Sequence, residues 1–111
     1  RDLVRSRGLG DVYKRQGQAW VQNGVKFDGY SNGILIETKA KYSQFVDSSG
    51  TFRSWFKGAD GFVDQARRQL AASNGAPITW YFKEKAARDA TEILFRQNGI
   101  TGIKLVYSPG N

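Results

Sequence analysis

The sequence predicts an α/β (α+β) domain in which an antiparallel β-meander is followed by helix, strand, helix and strand. Asn-Gly pairs at 23–24 and 32–33 stand between short runs of alternating apolar residues, and such pairs are the strongest short signal for a hairpin. Two amphipathic stretches of helical period follow, and each precedes a run rich in β-branched and aromatic residues. Because the last strand, helix and strand form a crossover unit, we expect these two strands to be parallel.

The composition is that of one globular domain. The chain has 111 residues, of which 40% are hydrophobic and 14% aromatic, enough for a single core. It contains no cysteine and no histidine. Disulfides, thiolate metal sites and imidazole catalysis are therefore excluded, and carboxylates, lysines and tyrosines remain to bind metal or move protons.

The charge of the chain favours a polyanionic partner. The formal net charge is +7, although solubility alone is the simpler explanation of a basic surface. No apolar run approaches the roughly 20 residues that span a bilayer, so we expect no membrane insertion.

The first 16 residues differ from the rest of the chain. Glycines at positions 8 and 10 interrupt any helix, and the apolar residues keep neither the helical nor the strand period. The segment also resembles adapter-derived read-through. We therefore expect residues 1–16 to be non-native or disordered and residues 17–111 to form the domain. Without the segment, 12 basic and 8 acidic residues leave a charge of +4.

The predicted elements follow in order. Strands are expected at 19–22, 25–30 and 34–41, and the side chains of this meander that should pack against helices are Val25, Phe27, Ile34, Ile36 and Thr38. The remaining elements are a long connection at 43–59, a helix from Asp60 to Ser73 with Asp60 as its cap, a strand at 78–83, a helix at 84–98 and a strand at 103–107. Aromatic residues of the long connection either belong to the core or stack on bases or a partner protein.

The turn at Asn32-Gly33 fixes which residues face each other across the hairpin. A two-residue loop pairs Ser31 with Ile34, and the same register places Asp28 opposite Glu37. The Cβ atoms of opposed residues lie roughly 4.5–5.5 Å apart. Lys39 shares a strand face with Glu37 because side chains alternate. Two carboxylates and one ammonium should therefore converge.

Such a cluster of two carboxylates is unfavourable unless a cation binds between them. Like charges opposed across a sheet destabilise it, whereas a divalent cation bound between them removes the repulsion. Carboxylate oxygens suit hard cations such as Mg²⁺ or Mn²⁺. The alternative is a solvated hairpin face with ordinary charges.

These residues carry a resemblance to a known superfamily. Asp28 followed by Glu37-Thr38-Lys39 resembles the PD-(D/E)xK signature of restriction-endonuclease-like nucleases. Further blocks follow in order: Gly24 to Tyr30, Trp55-Phe56, Asp64 to Gln69, Ile78 to Phe82 and Gly99 to Ile103. From about Trp20 to Pro109 the chain resembles the Tox-REase nuclease domains, group five, found at the C-termini of bacterial polymorphic and type VI secretion toxins.

The resemblance implies a restriction-endonuclease-like core whose first helix is missing or replaced by residues 1–16. It implies a nuclease that cleaves DNA with Mg²⁺ or Mn²⁺, held by Asp28, Glu37 and the carbonyl of Thr38. Lys39 would activate water or stabilise developing charge, and Gln65 would orient the substrate. The residues predicted to contact nucleic acid are Lys26, Tyr30, Lys41, Arg68 and Gln69.

The resemblance also implies a biological setting. The domain would be secreted by a bacterial secretion system, delivered into the cytoplasm of a target cell and bound by a cognate immunity protein. Two alternatives remain open. The domain could bind nucleic acid without cleaving it, or it could be recognised by an immunity protein while inactive because its N-terminal helix is lost.

Overall fold

The computed structural model describes residues 19–110. This part of the chain contains six strands, two α-helices and a short 3₁₀ helix. In chain order they are β1 (Trp20–Gln22), β2 (Val25–Phe27), β3 (Gly29–Ser31), β4 (Ile34–Lys39), the 3₁₀ helix (Ser43–Phe45), α1 (Gly58–Ala72), β5 (Ile78–Phe82), α2 (Lys85–Gln97) and β6 (Ile103–Tyr107). No helix within 19–110 has the length and apolar character needed to cross a membrane.

The strands form two sheets. β1 and β2 make a two-stranded antiparallel sheet, and the other four make a mixed sheet in the order β3-β4-β5-β6. β3 pairs antiparallel with β4, whereas β4, β5 and β6 run parallel, because α1 and α2 return the chain to the same end of the sheet. The predicted parallel pairing of the last two strands is therefore confirmed.

Two differences from the predicted elements affect how the chain is arranged near the candidate site. The single strand expected at 25–30 is divided at Asp28, so that β2 pairs with β1 while β3 pairs with β4. Helix α1 begins at Gly58, and Asp60 lies in its first turn instead of capping it. The predicted domain boundary after residue 16 and the replaced first helix lie outside the described residues.

The core lies between the main sheet and the two helices. Along β4 the buried side chains are Leu35, Glu37 and Lys39, whereas Ile34, Ile36 and Thr38 are more exposed. The prediction that those three residues pack against the helices was therefore wrong. The sheet face that carries Glu37 and Lys39 is the one that the helices cover, because α1 supplies polar partners for both side chains.

The aromatic residues of the 43–57 connection divide into two groups. Phe45 stacks on Phe56 at 4.2 Å between ring centroids, and Phe52 meets Phe62 of α1 edge to face at 5.7 Å. These rings extend the core, which is the first of the two roles that the sequence allowed for the aromatic residues of this connection. Trp55 differs, because 62% of it is exposed.

The turn between β3 and β4 has the backbone conformation predicted for it. Asn32 and Gly33 have φ angles of 54° and 79°, and the register pairs Ser31 with Ile34, Tyr30 with Leu35 and Gly29 with Ile36. A type I′ turn therefore sets the strand pairing that leads to the candidate site.

Gly33→Ala should destabilise the domain by about 1 kcal/mol, because a Cβ at this φ is strained although the space around it is open. Gly61→Ala is the matched control. Gly61 lies in α1 in equally open space without a positive φ, so this change should stabilise by about 0.5–1 kcal/mol. Urea unfolding of both variants measures the difference, and a Gly33→Ala variant as stable as the wild type would contradict the turn assignment.

Glu84 caps the 3₁₀ helix from a distance in sequence. Its Oε1 accepts the backbone N–H groups of Tyr42 and Ser43, both at 2.8 Å. These hydrogen bonds, that from Ser43 foremost, lower the pKa of the Glu84 carboxyl below its ordinary value of 4.5. The fold therefore favours the charged carboxylate of Glu84. This preference stabilises the folded domain at pH values above the ordinary pKa of 4.5, and the stabilisation is lost as the pH falls through the lowered pKa.

Glu84→Gln should therefore lower the free energy of unfolding at pH 7 by about 1 kcal/mol, as for loss of a helix cap. The difference from the wild type should shrink as the pH falls below 4.5. Chemical unfolding at pH 7 and at pH 3.5 checks this expectation, and a difference that does not depend on pH would show that the charge of Glu84 is not what matters.

Candidate active site

Asp28 lies at the junction between the two sheets. Its backbone N–H donates to the carbonyl of Ile36 at 2.9 Å, and its Oδ2 accepts the backbone N–H of Thr38 at 2.7 Å. The ladder pairing of Asp28 with Glu37 predicted from the sequence is not formed, because the paired residues end at Gly29 and Ile36. The carboxylate instead takes the place of a strand partner for Thr38.

Thr38 presents its backbone to Asp28. The N–H and C=O of one residue in an extended strand point to the same edge, so the carbonyl of Thr38 lies at the strand edge that carries Asp28. Its side chain is exposed on the sheet face away from the helices. Thr38 can therefore offer a ligand to this site through its carbonyl oxygen but not through its hydroxyl.

Glu37 and Lys39 form a buried ion pair beneath the helices. Lys39 Nζ lies 3.1 Å from Glu37 Oε2 and donates to Gln65 Oε1 of α1 at 2.6 Å. The same ammonium lies 4.7 Å from the ring centroid of Phe62 and 4.9 Å from that of Trp80. Aromatic faces attract a cation electrostatically, so the rings help to hold the charge in a site from which water is largely excluded.

Gln69 of α1 bridges Glu37 on β4 and Trp80 on β5. The side chain has no exposed surface; its Nε2 donates to Glu37 Oε1 at 3.2 Å, and its Oε1 accepts the indole N–H of Trp80 at 2.9 Å. The direct contact with nucleic acid predicted for Gln69 is therefore not available in this structure. Trp80 was missed at the sequence level, although a tryptophan within a buried strand signals the need for a hydrogen-bond acceptor.

A cleft of about 440 Å³ opens beside these residues, between the β1–β2 hairpin and α1. It is lined by Gly24, Val25, Lys26, Phe27, Asp28, Glu37, Gln65 and Arg68. The cleft thus brings together both predicted carboxylates, the predicted Gln65 and two of the predicted nucleic-acid contacts. Lys26 and Arg68 are exposed and stand on opposite walls.

The walls of the cleft are joined at one end by side-chain amides of the hairpin. Gln22 Nε2 donates to the carbonyls of Ala72 and Ser73 at 3.3 and 3.0 Å, and Asn23 Nδ2 donates to Ala72 at 2.8 Å. These bonds satisfy carbonyls at the C-terminus of α1 that have no partner within the helix. They therefore fix the position of β2, and with it Asp28, relative to α1.

Besides Gln69, two further predicted contact residues lie outside the cleft lining. Tyr30 is half-buried and stacks on Trp20 with ring centroids 4.6 Å apart. Lys41 is exposed just beyond the end of β4, where its charge helps to lower the pKa of the Glu84 carboxyl. The structure therefore brings together Asp28, Glu37, Lys39 and Gln65 and leaves Tyr30 and Lys41 at a distance from the cleft.

The donor set fits a hard divalent cation. Within residues 19–110, Oδ1 of Asp28 accepts no hydrogen bond, and each oxygen of Glu37 has a lone pair beyond the one engaged by Gln69 or Lys39. No group of three or more histidine, cysteine, aspartate or glutamate side chains that could hold an ion occurs there. Two carboxylates and a carbonyl suit Mg²⁺, which commonly keeps water and substrate phosphate as its other ligands.

The family of the chain is given by a match over most of its length. The family model described as restriction endonuclease fold toxin 5 matches residues 7–85. This chain belongs to that family. The toxin domain is a member of a nuclease-toxin family, and its mixed sheet with two helices is a restriction-endonuclease-like fold. The match begins within residues 1–16 and ends before most of α2. No curated protein matches the chain significantly.

Gln22→Ala should loosen the hairpin of this toxin domain and lower the free energy of unfolding by about 1 kcal/mol, because two hydrogen bonds between the hairpin and the end of α1 are lost. Gln44→Ala is the matched control, since Gln44 is exposed and within residues 19–110 makes no side-chain hydrogen bond, and its effect should stay within about 0.5 kcal/mol. Urea unfolding compares the two variants, and equal effects would argue that Gln22 does not fasten the hairpin to α1.

Proposed function

We propose that this toxin domain is a Mg²⁺- or Mn²⁺-dependent endonuclease that hydrolyses phosphodiester bonds in DNA. The observation that carries the proposal is the cleft itself: the carboxylates of Asp28 and Glu37 line one opening, and Gln65, which also lines it, is hydrogen-bonded to Lys39. Membership of a nuclease-toxin family supports the same reaction class.

The residues of the site divide the work of hydrolysis between them. Asp28, Glu37 and the carbonyl of Thr38 would hold the cation, which when bound supplies charge stabilisation to the phosphoryl group under attack. Lys39 provides a fixed positive charge in a poorly hydrated environment, where charge is effective at stabilising a developing anion. Gln65 lies at the surface of the cleft, where it orients the substrate.

Binding of the polyanion rests on the rims of the cleft. Lys26 on β2 and Arg68 on α1 face the opening from its two walls, and each is exposed, so both are free to contact phosphates of a strand that lies between them. The positive formal charge of the chain acts in the same direction over longer distances.

The biological role follows from the reaction and the family. We propose that the domain is the C-terminal toxic part of a bacterial polymorphic or type VI secretion effector that acts in the cytoplasm of the target cell. An immunity protein with an acidic surface would bind over the basic rims and close the cleft, which would protect the producing cell.

Replacing either carboxylate should abolish cleavage. With supercoiled plasmid and Mg²⁺, Asp28→Asn and Glu37→Gln should reduce the rate by a factor on the order of 10²–10³ or more, because charge stabilisation in the transition state is lost. Chelator should stop the wild type, and added Mg²⁺ should restore it. Glu92→Gln, at a half-exposed acidic residue of α2 far along the chain from the cleft, is the matched control and should cleave normally.

Binding measured with the same proteins separates a nuclease from a domain that only binds nucleic acid. A nuclease variant such as Glu37→Gln keeps its affinity for DNA while it loses cleavage. A wild type that binds plasmid but cleaves it at no metal concentration would overturn the proposed activity, and cleavage of RNA but not of DNA would overturn the proposed substrate.

A further inference from the structure

The side-chain amides of Gln65 and Gln69 are oriented by the partners that they meet. The ammonium of Lys39 and the indole N–H of Trp80 can only donate hydrogen bonds, so each must meet an amide oxygen and not an amide nitrogen. Gln65 Oε1 accepts from Lys39 at 2.6 Å, and Gln69 Oε1 accepts from Trp80 at 2.9 Å. In both glutamines the N–H₂ end is therefore the one left for other partners.

For Gln69 that partner is the carboxylate of Glu37. With its oxygen held by Trp80, the amide turns Nε2 toward Glu37 Oε1 at 3.2 Å. A reversed amide would bring oxygen against the carboxylate and N–H against the indole donor, two repulsive contacts in a buried site. The indole N–H thus decides which end of Gln69 faces Glu37.

The register of the sheet makes this chain of contacts short. Glu37 on β4 is the direct partner of Trp80 on β5, and Gln69 reaches both from α1. Trp80 has no exposed surface, and its ring also lies 4.9 Å from the ammonium of Lys39. Trp80 thereby contacts the amide that supports Glu37 and the ammonium of Lys39 itself, and it does not line the cleft.

We infer that Trp80 is a positioning residue for the nuclease reaction, acting on Glu37 through the amide of Gln69. The inference rests on the function proposed above and adds to it a residue that carries no charge and does not contact the substrate. Groups that orient a ligand to a metal typically change metal affinity or activity by about 10–100-fold when they are removed.

One substitution tests the role of the indole N–H separately from the role of the aromatic ring. Trp80→Phe keeps an aromatic face for Lys39 and for the core but removes the donor to Gln69. We expect kcat for plasmid cleavage to fall by about 10–100-fold with little change in KM, and the affinity for Mn²⁺ alone, measured by calorimetry, to fall by about tenfold or more.

Phe95→Leu is the matched control for a general loss of packing. Phe95 of α2 meets the Trp80 ring edge to face at 5.2 Å and carries no polar atom, so its truncation disturbs the same part of the core and leaves the hydrogen bonds in place. It should lower the melting temperature while kcat and the Mn²⁺ affinity stay close to those of the wild type. Equal kinetic loss in both variants would reduce Trp80 to a packing residue and overturn the inference.

A double-mutant cycle tests whether Trp80 acts through Gln69. Gln69→Leu should itself reduce kcat and Mn²⁺ affinity, and adding Trp80→Phe to it should cause no further loss, because the link is already broken. If the two substitutions instead reduced kcat by factors that multiply in the double variant, the inference would be overturned. Should Trp80→Phe fail to fold, Gln69→Leu still tests the link, since normal kinetics in that variant would also refute it.

The outcomes distinguish this inference from the proposed function. A wild type that neither cleaves nor binds Mn²⁺ refutes the proposed nuclease, and the inference with it. A wild type that does both, with Trp80→Phe equal to it, refutes the role of Trp80 alone.

Discussion

The buried pair of Lys39 and Glu37 is the constraint around which this domain is organised. Two opposite charges with little exposure to water are costly to bury unless their remaining hydrogen-bonding capacity is used, and breaking such a pair leaves an uncompensated charge. Two successive elements supply what the pair requires: α1 contributes two amides and the ring of Phe62, and β5 contributes the ring of Trp80. The helix therefore packs on this face of the sheet for polar as well as apolar reasons, and the two charges are oriented by the same contacts that hold the core together.

A second constraint acts on the other carboxylate. Asp28 belongs to neither the β1–β2 sheet nor the main sheet, and it stands where the chain passes from one to the other. Its position depends on two separate supports, the hydrogen bond from Thr38 and the amides of Gln22 and Asn23 that fasten the hairpin to the end of α1. The position of Asp28 is thus set by the docking of a small sheet onto a helix, whereas the position of Glu37 is set by contacts in the interior of the domain.

The sequence could predict what local backbone chemistry determines. Asn32 and Gly33 require a type I′ turn, and that turn alone gives the register of β3 against β4. Which face of β4 becomes buried could not be predicted in the same way. Alternate side chains of a strand point to opposite faces, and the face with the charged residues was assumed to face solvent. Glu37 and Lys39 occupy the buried phase since Gln65 and Gln69 meet them there, which depends on how a distant helix packs. Trp80 was missed for the same reason: its pairing with Glu37 is set by a parallel crossover of some forty residues, not by any local motif.

The residues of the candidate site all fall between Gly24 and Trp80 along the chain. Within residues 19–110, helix α2 and strand β6 contribute no residue to the lining of the cleft, and Phe95 of α2 packs edge to face against the indole ring of Trp80. The C-terminal quarter of the chain thus covers the interior next to the candidate site without adding to the lining of the cleft. Exposed residues of this quarter can therefore be exchanged without changing the lining of the cleft, provided that an apolar side chain of suitable size continues to cover that ring.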